Sequence, residues 1–168
     1  GDARAVLAAA EEELRHAGLA CRVGAECEFY LFETDDWGKP TRVTQDDAGY
    51  LDVAPLDKGE NVRRDICLML EQMGIRFESS HHEQGPGQNE IDFRYAEPVK
   101  AADDAVTFRT VVNTVAVRNG LAADFSPKPL RSEPGNGMHI NISARSESGE
   151  DIMPHVIAGI LSHIAGMT

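Results

Sequence analysis

The chain has 168 residues, enough for one hydrophobic core and few for two, so a single domain is expected. Its formal charge of −12 argues against non-specific attachment to nucleic acid, whose phosphates are bound by surfaces that neutralise them, and favours cations, or anions carried by cations, as partners. With 42% apolar residues and no run near the roughly 18 of a membrane span, the chain reads as soluble; Cys21, Cys27 and Cys67, without C-x-x-C spacing or a secretory signal, favour the cytoplasm over a disulfide scaffold.

In chain order, Val6, Leu7, Ala10, Leu14 and Ala17 recur at helical spacing, and Gly18 ends that helix. A strand follows in "VGAECEFYLF": Val23, Ala25, Cys27, Phe29 and Leu31 share one face, and Gly24, Glu26, Glu28, Tyr30 and Phe32 the other. The glycine-rich, charged stretch to about Lys58 reads as loop. Asp57 and Glu60 have the spacing of a helix cap, ahead of the stripe Val62, Ile66, Met69, Leu70 and Met73. Ile75 to Glu83 and Asn89 to Tyr95 read as strands of a hairpin closed by Gly85, Pro86 and Gly87. Ala101, Ala105, Phe108, Val112 and Val115 form a third helical stripe, and a short strand runs to Phe125. "SPKPLRSEPGNG" reads as loop, "MHINIS" as an alternating strand, and Pro154 starts a last helix. Several connections are too short for parallel crossovers, so the class is α+β, a sheet with helices on one face. The chain opens and closes inside helical patterns, as a portion of something larger would.

Glu26 and Glu28, two apart on one strand, put carboxylates about 7 Å apart on one face. A solvated sheet edge and a metal or catalytic face are both compatible with that pair. Glu83 and Glu90 flank the hairpin turn and can converge, and His139 alternates with Asn141 and Ser143 on a third strand. Four glutamates and one histidine on three strands suit Mg²⁺ or Mn²⁺ better than zinc, and bound divalent ions could clamp nucleotide phosphates. Neither a G-x-x-x-x-G-K-[ST] loop nor a Rossmann glycine fingerprint is present. The residues by themselves reach only as far as possible metal-dependent phosphoryl chemistry.

"GAECEFYLF", "GYLDVAPLDKGENVRRDI", "HHEQGPGQNEIDFRY", "FSPKPL" and "GNGMHINIS" resemble successive blocks of bacterial type I glutamine synthetase, in order and over nearly the whole chain. The resemblance implies a curved, largely antiparallel catalytic-domain sheet with helices behind it, shared with guanidino kinases. It implies ATP-dependent ligation of ammonia to glutamate through γ-glutamyl phosphate, with two divalent ions, Mg²⁺ or Mn²⁺, in the site. Glu28, Glu83 and Glu90 match the ligands of the ion that orients glutamate and helps ammonia bind. Glu26 and His139 match ligands of the ion that bridges the ATP phosphates. Tyr50 falls near the ammonium pocket, Gly135 at the loop that contacts glutamate, and Glu78, Tyr95, Asn141 and Ser143 near ATP. His81 and His82 are expected to support the site rather than ligate. Lys128, between two prolines, reads as part of a rigid turn.

Pro134 stands where the family carries a side-chain amide near glutamate, which leaves open a sister ligase acting on a larger amine. A non-catalytic paralogue is a third reading, against which the intact set of carboxylates speaks. By the same resemblance the amino-terminal β-grasp domain and the carboxyl-terminal part of the catalytic domain are missing. The 168 residues alone are therefore expected not to turn over, while the complete enzyme forms a homo-oligomeric ring, a dodecamer.

Overall fold

The computed structural model describes residues 1–167. In chain order its elements are α1 (Ala3–His16), β1 (Leu19–Thr34), β2 (Pro40–Thr44), α2 (Glu60–Gln72), β3 (Phe77–His82), β4 (Gln88–Phe93), α3 (Pro98–Arg118), β5 (Leu121–Asp124), β6 (Met138–Ser146) and α4 (Met153–His163). The six strands make one sheet organised on β1, which pairs antiparallel with β2, β4 and β5 and also pairs with β6. Beyond β4 lies β3, again antiparallel. The fold is thus the α+β arrangement expected, an antiparallel curled sheet with helices. Its residues fall into two compact units, one made of Gly1–Gly24, Tyr95–Asp103 and the stretch from Asn141, the other of Ala25–Arg94 and Asp104–Ile140.

The second unit contains the core. Alternation along β1 sends Ala25, Cys27, Phe29 and Leu31 to one face of the sheet, where they meet Val62, Ile66, Cys67 and Leu70 of α2 and Phe108, Val111, Val112 and Val115 of α3. Both helices therefore cover the same face. Phe108 anchors the contact, edge-on to Phe93 at 4.9 Å and to Phe29 at 6.0 Å between ring centres. On the other face Tyr30 and Phe32 stack at 5.8 Å and are buried as well.

Two local expectations are corrected. The stretch before Lys58 is not all loop, because Pro40–Thr44 pairs with the end of β1 as a five-residue strand too short for its alternation to stand out. Asp57 is not the cap of α2: Gly59 holds that position without a side-chain bond, and Asp57 is drawn inside to pair with Arg63.

In the first unit, Asp2 caps α1 by accepting the Arg4 amide at 3.0 Å, and Gly18 follows the helix at φ +69°. Neither α1 nor α4 has a fully buried residue, and Val6, Ile157 and Leu161 are exposed.

Candidate metal centre

The centre begins with the hairpin. Glu83 donates its amide to the Gln88 carbonyl at 2.8 Å and Gln88 donates to Gly85 at 2.9 Å, so the turn returns β4 directly beside β3. Gly87 sits at φ +67°, and a Cβ there would lie 2.9 Å from the Leu31 carbonyl oxygen. Only glycine lets β1 close on the turn, with Leu31 donating to the Gly87 carbonyl at 2.8 Å. That closure sets the register, in which Glu28 of β1 faces Glu90 of β4, and Glu90 faces His81 of β3.

Polar side chains from three strands consequently stand in one row. His81 Nε2 lies 2.9 Å from Glu83 Oε1 and 3.1 Å from Glu90 Oε2, and the three can present donor atoms within 4.8 Å of one another. Burial pushes the Glu90 carboxyl up to about 9, reinforced by the hydrogen bond its protonated form donates to Glu83 and by the charges of Asp92, Glu83 and Glu28. Carboxylates crowded in this way favour a divalent cation on their oxygens, and carboxylate oxygens suit Mg²⁺ or Mn²⁺, with the His81 ring nitrogen beside them. One step along the same face Glu26 stands opposite Asp92, whose Oδ2 accepts a hydrogen bond from Ser79. Tyr50 is exposed and meets the His81 ring edge-on at 5.8 Å.

The loop after β5 closes the row from the other side. Glu28 donates its amide to the Gly137 carbonyl at 3.2 Å, and His139 Nε2 stands 3.9 Å from Glu28 Oε1. A Cβ on Gly137 would come within 2.7 Å of Glu28 Oε1 and 2.9 Å of His139 Nε2, so the approach of these two side chains requires glycine. The Pro134 carbonyl accepts the buried Tyr30 hydroxyl at 2.7 Å; burial, with Glu133, Glu28 and Glu83 nearby, pushes that phenol up to about 12 and keeps it a donor. Lys128 turns back onto the Glu133 carbonyl, as a rigid turn requires.

Comparison with known proteins decides the family. The family model described as glutamine synthetase, catalytic domain, matches residues 1–168. This chain belongs to the glutamine synthetase family. It is 46% identical to the glutamine synthetase of Clostridium saccharobutylicum over 99% of its own length and 40% of that protein's. To the enzyme of Staphylococcus aureus strain MW2 it is 51% identical over 85% of its length and 32% of that protein's, so it spans well under half of the relatives it matches. Among solved structures it resembles one titled "GmaS/ADP complex-Conformation 1", with a TM-score of 0.76 and 28% identity over 89% of this chain and 35% of that one. A Plasmodium falciparum glutamine synthetase shares the fold at a TM-score of 0.76 and 24% identity, over 89% and 35% of the two chains.

Of the residues that likeness to glutamine synthetase assigns to the nucleotide, Tyr95 and Ser143 line one cavity of about 380 Å³ together with Ala20, Arg22, Ala144 and Arg145. Asn141 is two residues before Ser143 on exposed β6. Glu78 is exposed on β3, at the irregularity between Phe77 and Ser79.

A supporting role for His82 is expected from the sequence, but the other buried polar groups that brace this glutamine synthetase hairpin, Asp46 and Arg63, are not singled out by it. His82, fully buried, pairs Nε2 with Asp46 Oδ1 at 2.9 Å, and Asp46 also accepts the amides of Lys58 and Gly87 at 2.9 Å. Asp46, Asp57 and His82 form a second group of metal-type donors, yet Arg63 neutralises Asp57 and backbone amides occupy Asp46, which makes the group structural. No local pattern marks the pairing of His82 and Gly87 with Asp46, because these partners lie 36 and 41 positions from it.

This brace has a pH signature. Burial opposes ionisation of Asp46, but the hydrogen bonds from His82, Lys58 and Gly87 outweigh it and hold the carboxyl at about 2. Burial likewise lowers His82, and its bonds to Asp46 and the Glu83 carbonyl outweigh that and raise it. The Asp46 contribution is thus present above about pH 4 and lost as pH falls towards 2, and the His82 contribution is present below about pH 6.5 and lost as pH rises past it. Urea unfolding at a series of pH values should show an acid limb below about pH 4, and Asp46→Asn should flatten that limb and lower stability above it by about 2 kcal/mol relative to the unsubstituted chain at the same pH.

Proposed function

We propose that this chain supplies the metal-binding core of a ligase that joins ammonia to glutamate at the expense of ATP. The observation that carries the proposal is the convergence of Glu83, Glu90 and His81 from the two hairpin strands, with Glu28 in register opposite Glu90. Glu28, Glu83 and Glu90 would hold one divalent ion, and Glu26 with His139 would contribute to a second. When bound, such ions offset negative charge on transferring phosphoryl groups. The protein's own residues do the rest. His81 stands between two of the carboxylates and holds them to one geometry. Tyr50, edge-on to His81, is the aromatic wall for a small cation. The cavity of Tyr95 and Ser143, with Arg22 and Arg145, is suited to an anionic, aromatic ligand such as a nucleotide. The complete reaction belongs to this chain in company with the further segments found in its longer relatives, and cytoplasmic location and a ring of subunits are part of the same proposal.

A second reading, ligation of a larger amine, draws on the loop at Pro134. The side-chain amide in that loop is Asn136, and its groups are spent on Gln88, Asp124 and Ser126. Product analysis of the complete enzyme with ammonium beside polyamines separates the two: glutamine as the main product supports the first, a γ-glutamyl polyamine the second.

Calorimetric titration of Mn²⁺ into the chain, beside a Glu28→Ala/Glu83→Ala variant checked for folding by circular dichroism, tests the centre itself. Saturable binding that is lost in the folded variant is the expected result. Equal binding by both, or none by the parent, would overturn the metal reading.

A further inference from the structure

One side chain links the carboxylate row to the loop that faces it. Gln88 begins β4 and is fully buried. Its amide nitrogen lies 2.9 Å from Glu28 Oε2, 2.9 Å from the Gly135 carbonyl and 3.2 Å from Asn136 Oδ1. Its oxygen accepts the Gly85 amide at 3.0 Å. Three acceptors surround one NH₂ group, so the amide has a single sensible orientation, with nitrogen towards Glu28. The oxygen is held by the hairpin turn, and a flip would set an acceptor against three others.

We infer that Gln88 is a positioning residue that fixes the Glu28 carboxylate for its ion and makes the order of the 134–137 loop depend on that ion. The inference rests on the metal reading given above. An ion drawing on one Glu28 oxygen orients the carboxylate, and the other oxygen orients the Gln88 amide. The amide in turn holds Gly135 and Asn136. Glu28 and Gly135 belong to segments more than a hundred residues apart; backbone and Tyr30 bonds also tie β1 to this loop, but it is Gln88 that bonds both the Glu28 carboxylate and the loop. Loop and ion should therefore report on one another.

Two measurements test this. In the unsubstituted chain, hydrogen exchange is followed with and without Mn²⁺ at the Asn136 amide, which bonds the Pro127 carbonyl, and at the Glu28 amide, which bonds that of Gly137. Saturating Mn²⁺ should slow both by severalfold. Gln88→Met removes the donor at nearly constant volume and should weaken Mn²⁺ by about 10- to 100-fold, the usual cost of losing a group that orients a ligand. It should also abolish the Mn²⁺-dependent protection. Gln88→Asn keeps an amide but withdraws it by one methylene, and serves the same comparison should the methionine variant not fold. A purely structural Gln88 would lower the melting temperature and leave the Mn²⁺ dissociation constant unchanged, and that result, or exchange at Asn136 indifferent to bound Mn²⁺, overturns the inference. Absence of Mn²⁺ binding by the unsubstituted chain would instead overturn the metal reading beneath it.

Discussion

Exchanging Glu90 for glutamine should weaken Mn²⁺ binding by at least about 100-fold, the upper end of what losing even an orienting partner costs, and should raise the melting temperature of the metal-free chain. The two effects have one cause. Glu90 is buried in register with Glu28, beside Glu83, and with Asp92 two residues along the strand, so its carboxyl is pushed up to about 9. For an acid raised in the folded state the sign is unfavourable: the unfolded chain ionises Glu90 near its ordinary value of about 4.3, and stability falls as pH rises from there towards 9. At pH 7 the cost is on the order of 3 kcal/mol. Glutamine preserves the shape without that cost, and at about 2–4 °C per kcal/mol for a chain of this size the melting temperature should climb by roughly 5 °C or more. Scanning calorimetry of the metal-free chains and Mn²⁺ titration of the same samples give both numbers. A lower melting temperature would refute the crowded-carboxylate account, and undiminished affinity would remove Glu90 from the ligand set. Stability given up to hold a ligand is the trade expected at a functional site.

Asp57→Ala should destabilise the chain by about 3–5 kcal/mol, the cost of stranding one member of a buried ion pair. Both partners are 4% exposed. Arg63 Nη2 lies 2.6 Å from Asp57 Oδ2 and Nη1 lies 3.1 Å from Oδ1, while Nη1 also reaches Asn89 Oδ1 at 2.6 Å and Nε reaches Ser80 Oγ at 3.2 Å. Asp57 in addition accepts the Gly59 amide at 2.8 Å. One guanidinium thus ties α2 to both hairpin strands, and without its carboxylate it remains buried and unneutralised. The pair's own net worth is smaller than the loss on breaking it, because desolvation of two charges offsets much of their attraction. Asp57→Ala/Arg63→Met should accordingly recover a large part of the stability that Asp57→Ala loses. Urea unfolding of the two single variants and the double variant closes the cycle, and additive losses would show that no such coupling exists.

These predictions differ in how far the sequence could have suggested them. Glu90 was legible as one of a pair of carboxylates flanking a glycine turn, and Glu26 and Glu28 as partners on a strand face. Arg63 and Gln88 were not. Arg63 lies within a helix whose apolar stripe was evident, and a charged residue beside such a stripe reads as solvent-facing. Gln88 follows a glycine-proline-glycine turn, where polar residues are ordinary. The short β2 was missed because five residues, two of them proline and arginine, carry too little alternation to separate a strand from a loop.

The sequence by itself determined the periods: alternation along β1 placed Ala25, Cys27, Phe29 and Leu31 on one face, the stripes of α2 and α3 matched that face, and glycines at 85 and 87 made the hairpin. Those features are local, written within a turn or a few strand residues, and burial of apolar surface rewards them wherever the pattern occurs. Only the tertiary structure decided which polar groups stand opposite one another. That Glu28 faces Glu90, that His81 bridges Glu83 and Glu90, and that Gln88 joins Glu28 to a loop from far along the chain all follow from register and loop closure. The physical reason is that a one-residue change of register turns every side chain of a strand to the other face while leaving its local pattern intact.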